Sequence, residues 1–183
     1  VLVVIGIIAF LAGILITVLR GVVGNAKVAA TKATIRKFDS LLTKKMEAFN
    51  RYIQDQDVIA AKTNRTPSYV TAEMQRKASG TAQAKVLGRK DSFRRNFPQR
   101  FTEMDSPPSY DTSKHSQETE SAELLYHFLM KMPSYGADAP DADSFGSGEV
   151  ADTDGDGLLE FVDGWGNPLR FYRWPTRLVR PQL

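Results

Sequence analysis

The sequence predicts an α+β protein in which a long N-terminal helix, its apolar half protruding, carries a small C-terminal globular part of short helices and a small antiparallel β-sheet. Three observations predict this fold class. The uncharged apolar run Val1–Leu19 continues without proline into an amphipathic helical pattern. A second apolar helical pattern lies at Ser121–Met132, and a turn signal before an aromatic strand pattern lies near the C-terminus. A helix of ~55 residues is about 80 Å long, so its apolar first third must project from so small a globular part.

Composition excludes several classes of protein. The chain has 183 residues, a net charge of +3 and no cysteine, which excludes disulfides, thiolate zinc sites and cysteine nucleophiles. Its length favours one folding unit with a modest core. The two histidines, His115 and His127, have no cysteine or histidine partner at metal-ligand spacing, and no phosphate-binding loop or nucleophile motif is present. We therefore expect a protein that is not an enzyme.

Residues 1–19 are predicted to be the membrane-spanning half of the first helix, or to lie in an equally apolar bundle. They carry no charge, and ~19 helical residues span about 28 Å, close to the thickness of a bilayer hydrocarbon core. A cleavable signal peptide is the main alternative, but the run is long for such a segment and no A-x-A type site follows it. A buried core helix is disfavoured because the run is apolar on every face.

The rest of the chain divides into three predicted parts. Residues 20–55 form the amphipathic half of the same helix, because apolar residues recur there at spacings of three and four. Residues 56–135 are a mixed helical and loop region, with a polar helix interrupted at Gly80 and a short helix capped by Ser121. Residues 136–183 contain an acidic segment without basic residues up to position 163, followed by a C-terminal β segment.

The middle of the chain alternates phenylalanines with arginines, which allows two interpretations. The residues concerned are Phe93, Phe97 and Phe101, with Arg94, Arg95 and Arg100 between them. A basic segment with interleaved aromatic rings could bind single-stranded nucleic acid by stacking and phosphate contact. We favour the other interpretation, in which the phenylalanines pack onto the long helix and the arginines face solvent or an acidic neighbour.

The segment DTDGDGLLEFVD, residues 152–163, holds five carboxylates that repel each other unless water or a cation absorbs their field. Its spacing matches a calcium loop, in which Gly157 permits the sharp turn and Leu158 offers its carbonyl. The predicted calcium ligands are Asp152, Asp154, Asp156, Leu158, Glu160 and Asp163. Leu159 is then expected to point into the core. A solvated acidic turn is the alternative, and no helical pattern flanks the loop.

The run DGWGNPLRFYRWP, which begins at the last residue of this loop, predicts a turn followed by a short strand, Leu169–Trp174. Alternation in that strand places Leu169 and Phe171 on the face opposite to Tyr172 and Trp174. The strand supplies part of the small predicted sheet.

Two segments resemble a known family. LVVIGIIAFLAGIL, followed by a basic amphipathic helix, resembles the N-terminal helix of type IV pilins and type II secretion pseudopilins. WGNPL is similar to the C-terminal D-x-W-G-N-P segment of the major pseudopilins, whose last loop binds calcium close to that motif. The chain departs from many pilins in having Thr17 near where they carry a helix-breaking proline.

The resemblance implies a non-catalytic structural subunit, a pilin or pseudopilin, stabilised by calcium. Its partners would be further copies of itself in a helical homopolymer, a prepilin peptidase that removes a leader, and an inner-membrane assembly platform. A glutamate would stand shortly before Val1, at a methylated N-terminus. The monomer would lie in the bacterial inner membrane and the polymer would be an extracellular or periplasmic filament. Two other functions stay open: a single-pass membrane-anchored calcium-binding module, and a DNA-binding minor pilin that uses Arg94 and Arg95.

Overall fold

The computed structural model describes residues 2–132, 135 and 140–173, and within the first helix it describes side chains at Phe10, at Gly13 and from Gly21 onward. The chain forms helices, short 3-10 turns and one small sheet, which confirms the α+β class. The helices are α1 (Leu2–Thr63), α2 (Ala72–Lys77), α3 (Thr81–Asn96) and α4 (Glu120–Met130), with 3-10 turns at Phe101–Glu103 and Ala142–Ser144, and the strands are β1 (Val150–Ala151) and β2 (Glu160–Phe161).

Helix α1 is a single uninterrupted helix of 62 residues, about 93 Å long. Its backbone stays helical at Gly21 and Gly24, although glycine is a poor helix former. The helix ends where Asn64 takes a left-handed conformation, with φ of 50°, shortly before Pro67. The continuous helix predicted from the absence of early proline is therefore confirmed.

Most of the predicted apolar segment, Val1–Leu19, lies outside the residues whose side chains are described. Among the residues that are described, no helix combines the length and the apolarity needed to cross a bilayer.

The globular part packs on the C-terminal half of α1 through an aromatic core. Phe38 of α1 lies 4.5 Å from the ring of Phe161 in β2, measured between ring centroids. Further along α1, Phe49 makes an edge contact of 6.0 Å with Phe97 at the end of α3, and Phe97 in turn contacts Phe128 of α4 at 5.7 Å. One helix thus collects α3, α4 and β2 through a chain of ring contacts, each favourable beyond the area that it buries.

The phenylalanine and arginine segment follows the packing interpretation. Phe97 is only 1% exposed and packs against α1, whereas Phe101 stacks on Tyr110 at 4.8 Å. The arginines bind acidic neighbours: Arg94 contacts Glu103 at 2.8 Å, and Arg95 contacts Asp91 and Asp105. Arg173 also pairs with Glu103. Although burial opposes it, these partners lower the pKa of Glu103 to about 2.

The sheet consists of two antiparallel strands, with Val150 opposite Phe161 and Ala151 opposite Glu160. The predicted strand Leu169–Trp174 is wrong over residues 169–173, which form no strand beyond a bridge between Val162 and Pro168. After Leu169 donates its N–H to the Phe161 carbonyl, the segment turns towards α3, where the Gln99 side chain binds the Phe171 carbonyl. The alternation of side chains still holds for the described residues, since Leu169 and Phe171 pack on the core and Tyr172 is exposed. Trp174 lies outside the described residues.

Gly164 lets the turn after β2 touch the backbone of α1. A Cβ at this position would lie 2.6 Å from the carbonyl oxygen and 2.9 Å from the Cα of Lys27. The Gly164 N–H also donates to the Thr31 hydroxyl at 2.9 Å. A glycine is required here by close approach, because the atoms it meets belong to helix backbone and cannot rotate away.

Replacement Gly164→Ala is expected to lower the free energy of unfolding by about 1–3 kcal/mol, because the turn must move off α1 to admit a methyl group. Gly148→Ala is the matched control, since nothing lies within 4 Å of a Cβ there. Denaturant unfolding of the two full-length variants measures the difference. Equal midpoints would show that the turn does not press on α1.

Candidate metal centre

The acidic loop connects the two strands of the sheet and is closed by its own first aspartate. The Asp152 carboxylate accepts the N–H groups of Gly155 at 2.7 Å and Gly157 at 3.1 Å. Both glycines have positive φ, 78° and 95°, which other residues adopt only with strain. The alternation of aspartate and glycine read from the sequence therefore makes a tight turn whose carboxylates point inward.

Three carboxylates of this loop form the first group, which we call the loop cluster. Asp152, Asp154 and Glu160 each place an oxygen within 4.8 Å of the others. Glu160 is fully buried, and while one of its oxygens accepts the Thr153 N–H at 2.9 Å, the other, Oε1, has no hydrogen-bond partner. Burial, together with the neighbouring aspartate charges, raises the pKa of Glu160 to about 7. A cation would remove the repulsion and satisfy the orphaned oxygen.

A second group, the inner cluster, brings residues from outside the loop to it. It contains His115, Glu123, Asp154 and Asp156, again with one ligand atom each within 4.8 Å of the others. The His115 Nδ1 lies 3.0 Å from Asp156 Oδ2 and 3.4 Å from Glu123 Oε2. Burial raises the pKa of Glu123 to about 7, to which the Asp156 and Asp154 charges contribute.

Asp154 belongs to both clusters, and hydrogen bonds from outside the acidic loop hold its carboxylate in place. One of its oxygens accepts the Thr119 hydroxyl at 2.9 Å and the Ser116 N–H at 3.1 Å. Although burial opposes it, these hydrogen bonds lower the pKa of Asp154. Thr119, and not the predicted Ser121, is the residue that precedes the first turn of α4, and its hydroxyl binds the acidic loop and the Ser116 carbonyl instead of capping the helix.

The remaining predicted ligands are placed differently. Leu158 donates its N–H to Asp156 Oδ1 at 2.8 Å. Asp163 belongs to neither cluster, because its carboxylate accepts the N–H groups of Trp165 and Asn167 and so organises the next turn. The prediction for Leu159 is wrong: this side chain is 40% exposed, whereas the next residue, Glu160, is fully buried.

The sequence did not predict that His115 and Glu123 lie in this centre. Glu123 lies in the first turn of α4, where a glutamate is ordinarily explained by the helix dipole and by solvent. His115 lies in a polar segment 37 residues before the first aspartate of the loop. Packing of α4 against β2 brings Glu123 to the loop, and the Asp111 N–H, which donates to the Asp156 carbonyl at 2.8 Å, holds the segment of His115 against it.

The loop cluster has the chemistry that calcium prefers. Its donors are hard carboxylate oxygens on a flexible loop, and backbone carbonyls and water can complete the six to eight ligands of a calcium ion. The inner cluster differs from it by one nitrogen donor. The two groups overlap at a single residue, so each has donors that the other lacks.

No family model, no curated protein and no solved structure matches this chain. Its function must therefore be argued from its own residues and from their arrangement.

Metal-free protein is expected to lose stability as the pH rises from about 5 to about 8. Glu123 and Glu160 each have a folded-state pKa of about 7 against an ordinary value of 4.5. The stability contributed by their protonated forms is fully present below the ordinary pKa and is lost as the pH rises through the folded one. Thermal unfolding in excess chelator across this range measures the effect.

Glu123→Gln is the matched variant for this pH series, because its neutral amide keeps the side-chain shape and cannot ionise. Its loss of stability over the same range is expected to be smaller than that of the unmodified protein, by on the order of a few kcal/mol. Comparing the two curves removes the contribution of other titrating groups. Superimposable curves would contradict a buried, protonated Glu123.

Proposed function

We propose that this protein is a non-catalytic structural subunit, a pilin or pseudopilin, of a type IV pilus-like filament that assembles through its N-terminal helix. The observation that carries the proposal is the shape of α1. The globular part packs on this helix through contacts that run from Lys27, which meets Gly164, to Asp57, which binds Tyr69 and Arg89. Apolar side chains further towards the N-terminus are exposed, with Phe10 69%, Val22 59% and Val23 51% accessible. A long helix that presents such residues needs an apolar environment or apolar partners.

Assembly would move the apolar part of this helix from lipid into contact with the same part of other copies. As a monomer, the chain would be anchored in the bacterial inner membrane by residues 1–19. In an extracellular or periplasmic filament, the same segment would pack against those of neighbouring copies. Moving an apolar helix from lipid to a bundle of similar helices changes little in hydrophobic free energy, so packing details and an external motor decide the direction. The leader-removing peptidase and assembly platform implied by the sequence resemblance would supply processing and force.

Calcium is the proposed resident ion of the loop cluster. Asp152, Asp154 and Glu160 would hold it, and the Leu158 carbonyl is a further predicted ligand. When bound, the ion neutralises the repelling carboxylates and ties together the loop between β1 and β2. In a chain without cysteine, that bond would do what disulfides do in other exported domains.

Nucleic-acid binding receives no support from the middle segment. Arg94 and Arg95, on which that alternative depends, each bind carboxylates of this chain. A phosphate would have to compete with partners already in place. The single-pass calcium-binding module remains as the function that the next experiment must separate from a filament subunit.

A photo-activatable phenylalanine analogue at Phe10 is expected to cross-link the protein into a ladder of dimers, trimers and higher species in cells that assemble it. Phe10 is suited to this because it is exposed and because the analogue keeps an aromatic ring. The same analogue at Tyr172, which is 44% exposed on the globular part, is the matched control for accessibility. Irradiated cells and the sheared surface fraction are compared by immunoblot. A product limited to the monomer at both positions would leave a membrane-anchored module.

Calcium is expected to raise the Tm of the full-length protein, and Asp152→Asn to abolish that rise. At a calcium concentration about 100 times the Kd, binding to the folded state stabilises it by about 2.7 kcal/mol. Asp152 is the right residue to change because it belongs to the loop cluster alone. Asp105→Asn is the control, since that carboxylate lies on the surface, 2.7 Å from Arg95. Identical melting curves with calcium and with chelator would exclude a structural calcium ion.

A further inference from the structure

The inner cluster contains a donor set that calcium does not require. An imidazole nitrogen from the segment before α4, a glutamate from α4 and two aspartates from the acidic loop converge within 4.8 Å. The acidic loop and the segment that leads into α4, about 30 residues apart in sequence, thus send ligand-type side chains to one point. The His115 ring is itself held between Phe101 at 5.2 Å and Tyr110 at 4.6 Å, measured between centroids, so its orientation is set by packing.

Glu123 provides a second observation that points to a ligand at this place. Its side chain is only 1% exposed, and among the described residues neither carboxylate oxygen makes a well-formed hydrogen bond, the His115 Nδ1 lying 3.4 Å from Oε2. A buried carboxylate without hydrogen bonds costs several kcal/mol unless a partner compensates it. The side chain of Asp156, another carboxylate of the same cluster, is also completely buried. The His115 Nδ1 lies near Glu123 Oε2 and Asp156 Oδ2. A single ring nitrogen cannot form hydrogen bonds to both Glu123 oxygens and to Asp156 as well.

We propose that His115, Glu123, Asp154 and Asp156 form a site for a divalent transition ion, best matched by zinc, that is distinct from the calcium site proposed above and shares only Asp154 with it. Imidazole nitrogen with carboxylate oxygens is a donor set that zinc accepts, whereas calcium takes oxygen. Zinc ligands about 2.0–2.1 Å from a tetrahedral centre are about 3.3 Å apart. The nitrogen lies 3.0 and 3.4 Å from its two oxygen neighbours, which fits that spacing.

Hydrogen bonds from neighbouring groups orient two of these ligand side chains. Asp154 is oriented by the Thr119 hydroxyl and the Ser116 N–H, and the second oxygen of Asp156 accepts the Leu158 N–H. Such outer contacts fix the direction of ligands and strengthen binding. A zinc ion here would join the segment before α4, the first turn of α4 and the acidic loop. The proposal does not depend on filament assembly, and it would hold equally for a membrane-anchored module.

Zinc binding is tested on the full-length chain in detergent, stripped with chelator and titrated with Zn²⁺ against a chromophoric competitor, with calcium held in excess. One equivalent of zinc is expected to bind in the presence of calcium. His115→Gln is expected to weaken zinc binding about 100-fold or more, because it removes the only nitrogen ligand. His127→Gln is the matched control, since the other histidine of the chain belongs to neither cluster. Asp152→Asn is expected to abolish the calcium effect on Tm and to retain zinc.

Imidazole nitrogen NMR of the unmodified protein adds a readout that does not require the His115→Gln variant to fold. The chain has two histidines, so a ¹⁵N-histidine sample gives two ring systems that the His127→Gln variant assigns. Zinc is expected to shift the ring nitrogens of His115 and to leave those of His127 unchanged. The proposal is overturned if no zinc binds, if calcium displaces it stoichiometrically, or if the His115 resonances do not respond.

Discussion

The C-terminal half of this protein is organised around buried negative charge. Packing of α4 against β2 places Glu123 and Glu160, both almost inaccessible to water, beside the aspartates of the connecting loop. The apolar neighbours of these acids in sequence, including Leu124 and Phe161, are needed for the core, so the acids cannot turn outwards without opening it. Like charges held together in this way must bind protons or cations. Every other feature of the centre, from the glycine turns to the Thr119 hydroxyl, supports that arrangement.

Helix α1 is the frame to which this centre is attached. Its aromatic face contacts β2 through Phe38, and the buried Lys45 donates to the carbonyl groups of Phe128 and Met132 at the end of α4. Because Lys45 is buried under α4, its pKa is lowered to about 8. At the other edge, Glu149 before β1 pairs with Lys37 at 2.6 Å. Cations bound at the two clusters would therefore stabilise β1, β2 and α4, whose residues or neighbours contact α1 directly.

This arrangement relates the two proposals to one another. A filament subunit must present the N-terminal part of its helix to other copies while the globular part resists being pulled from it. Without cysteine, this resistance comes from core packing, to which the proposed ions would add. Loop and inner clusters share Asp154, so one loop could connect β1, β2 and α4 through two ions of different chemistry. The small sheet, with two residues in each strand, would contribute little stability without such support.

Local patterns in the sequence determined the elements that depend on nearby residues: the continuous first helix, which ends at Thr63 and not at the predicted residue 55, the break near Gly80, the short helix before residue 132 and the tight acidic turn. Periodicity and turn chemistry act over a few residues, so they can be read without knowing the fold. Tertiary structure alone decided that His115 and Glu123 join the loop, that Asp163 supports the next turn, and that residues 169–173 leave the sheet. Those outcomes depend on which surfaces meet when α4 packs on β2 and on α1. Such contacts link residues far apart in the chain, and no spacing within the sequence encodes them.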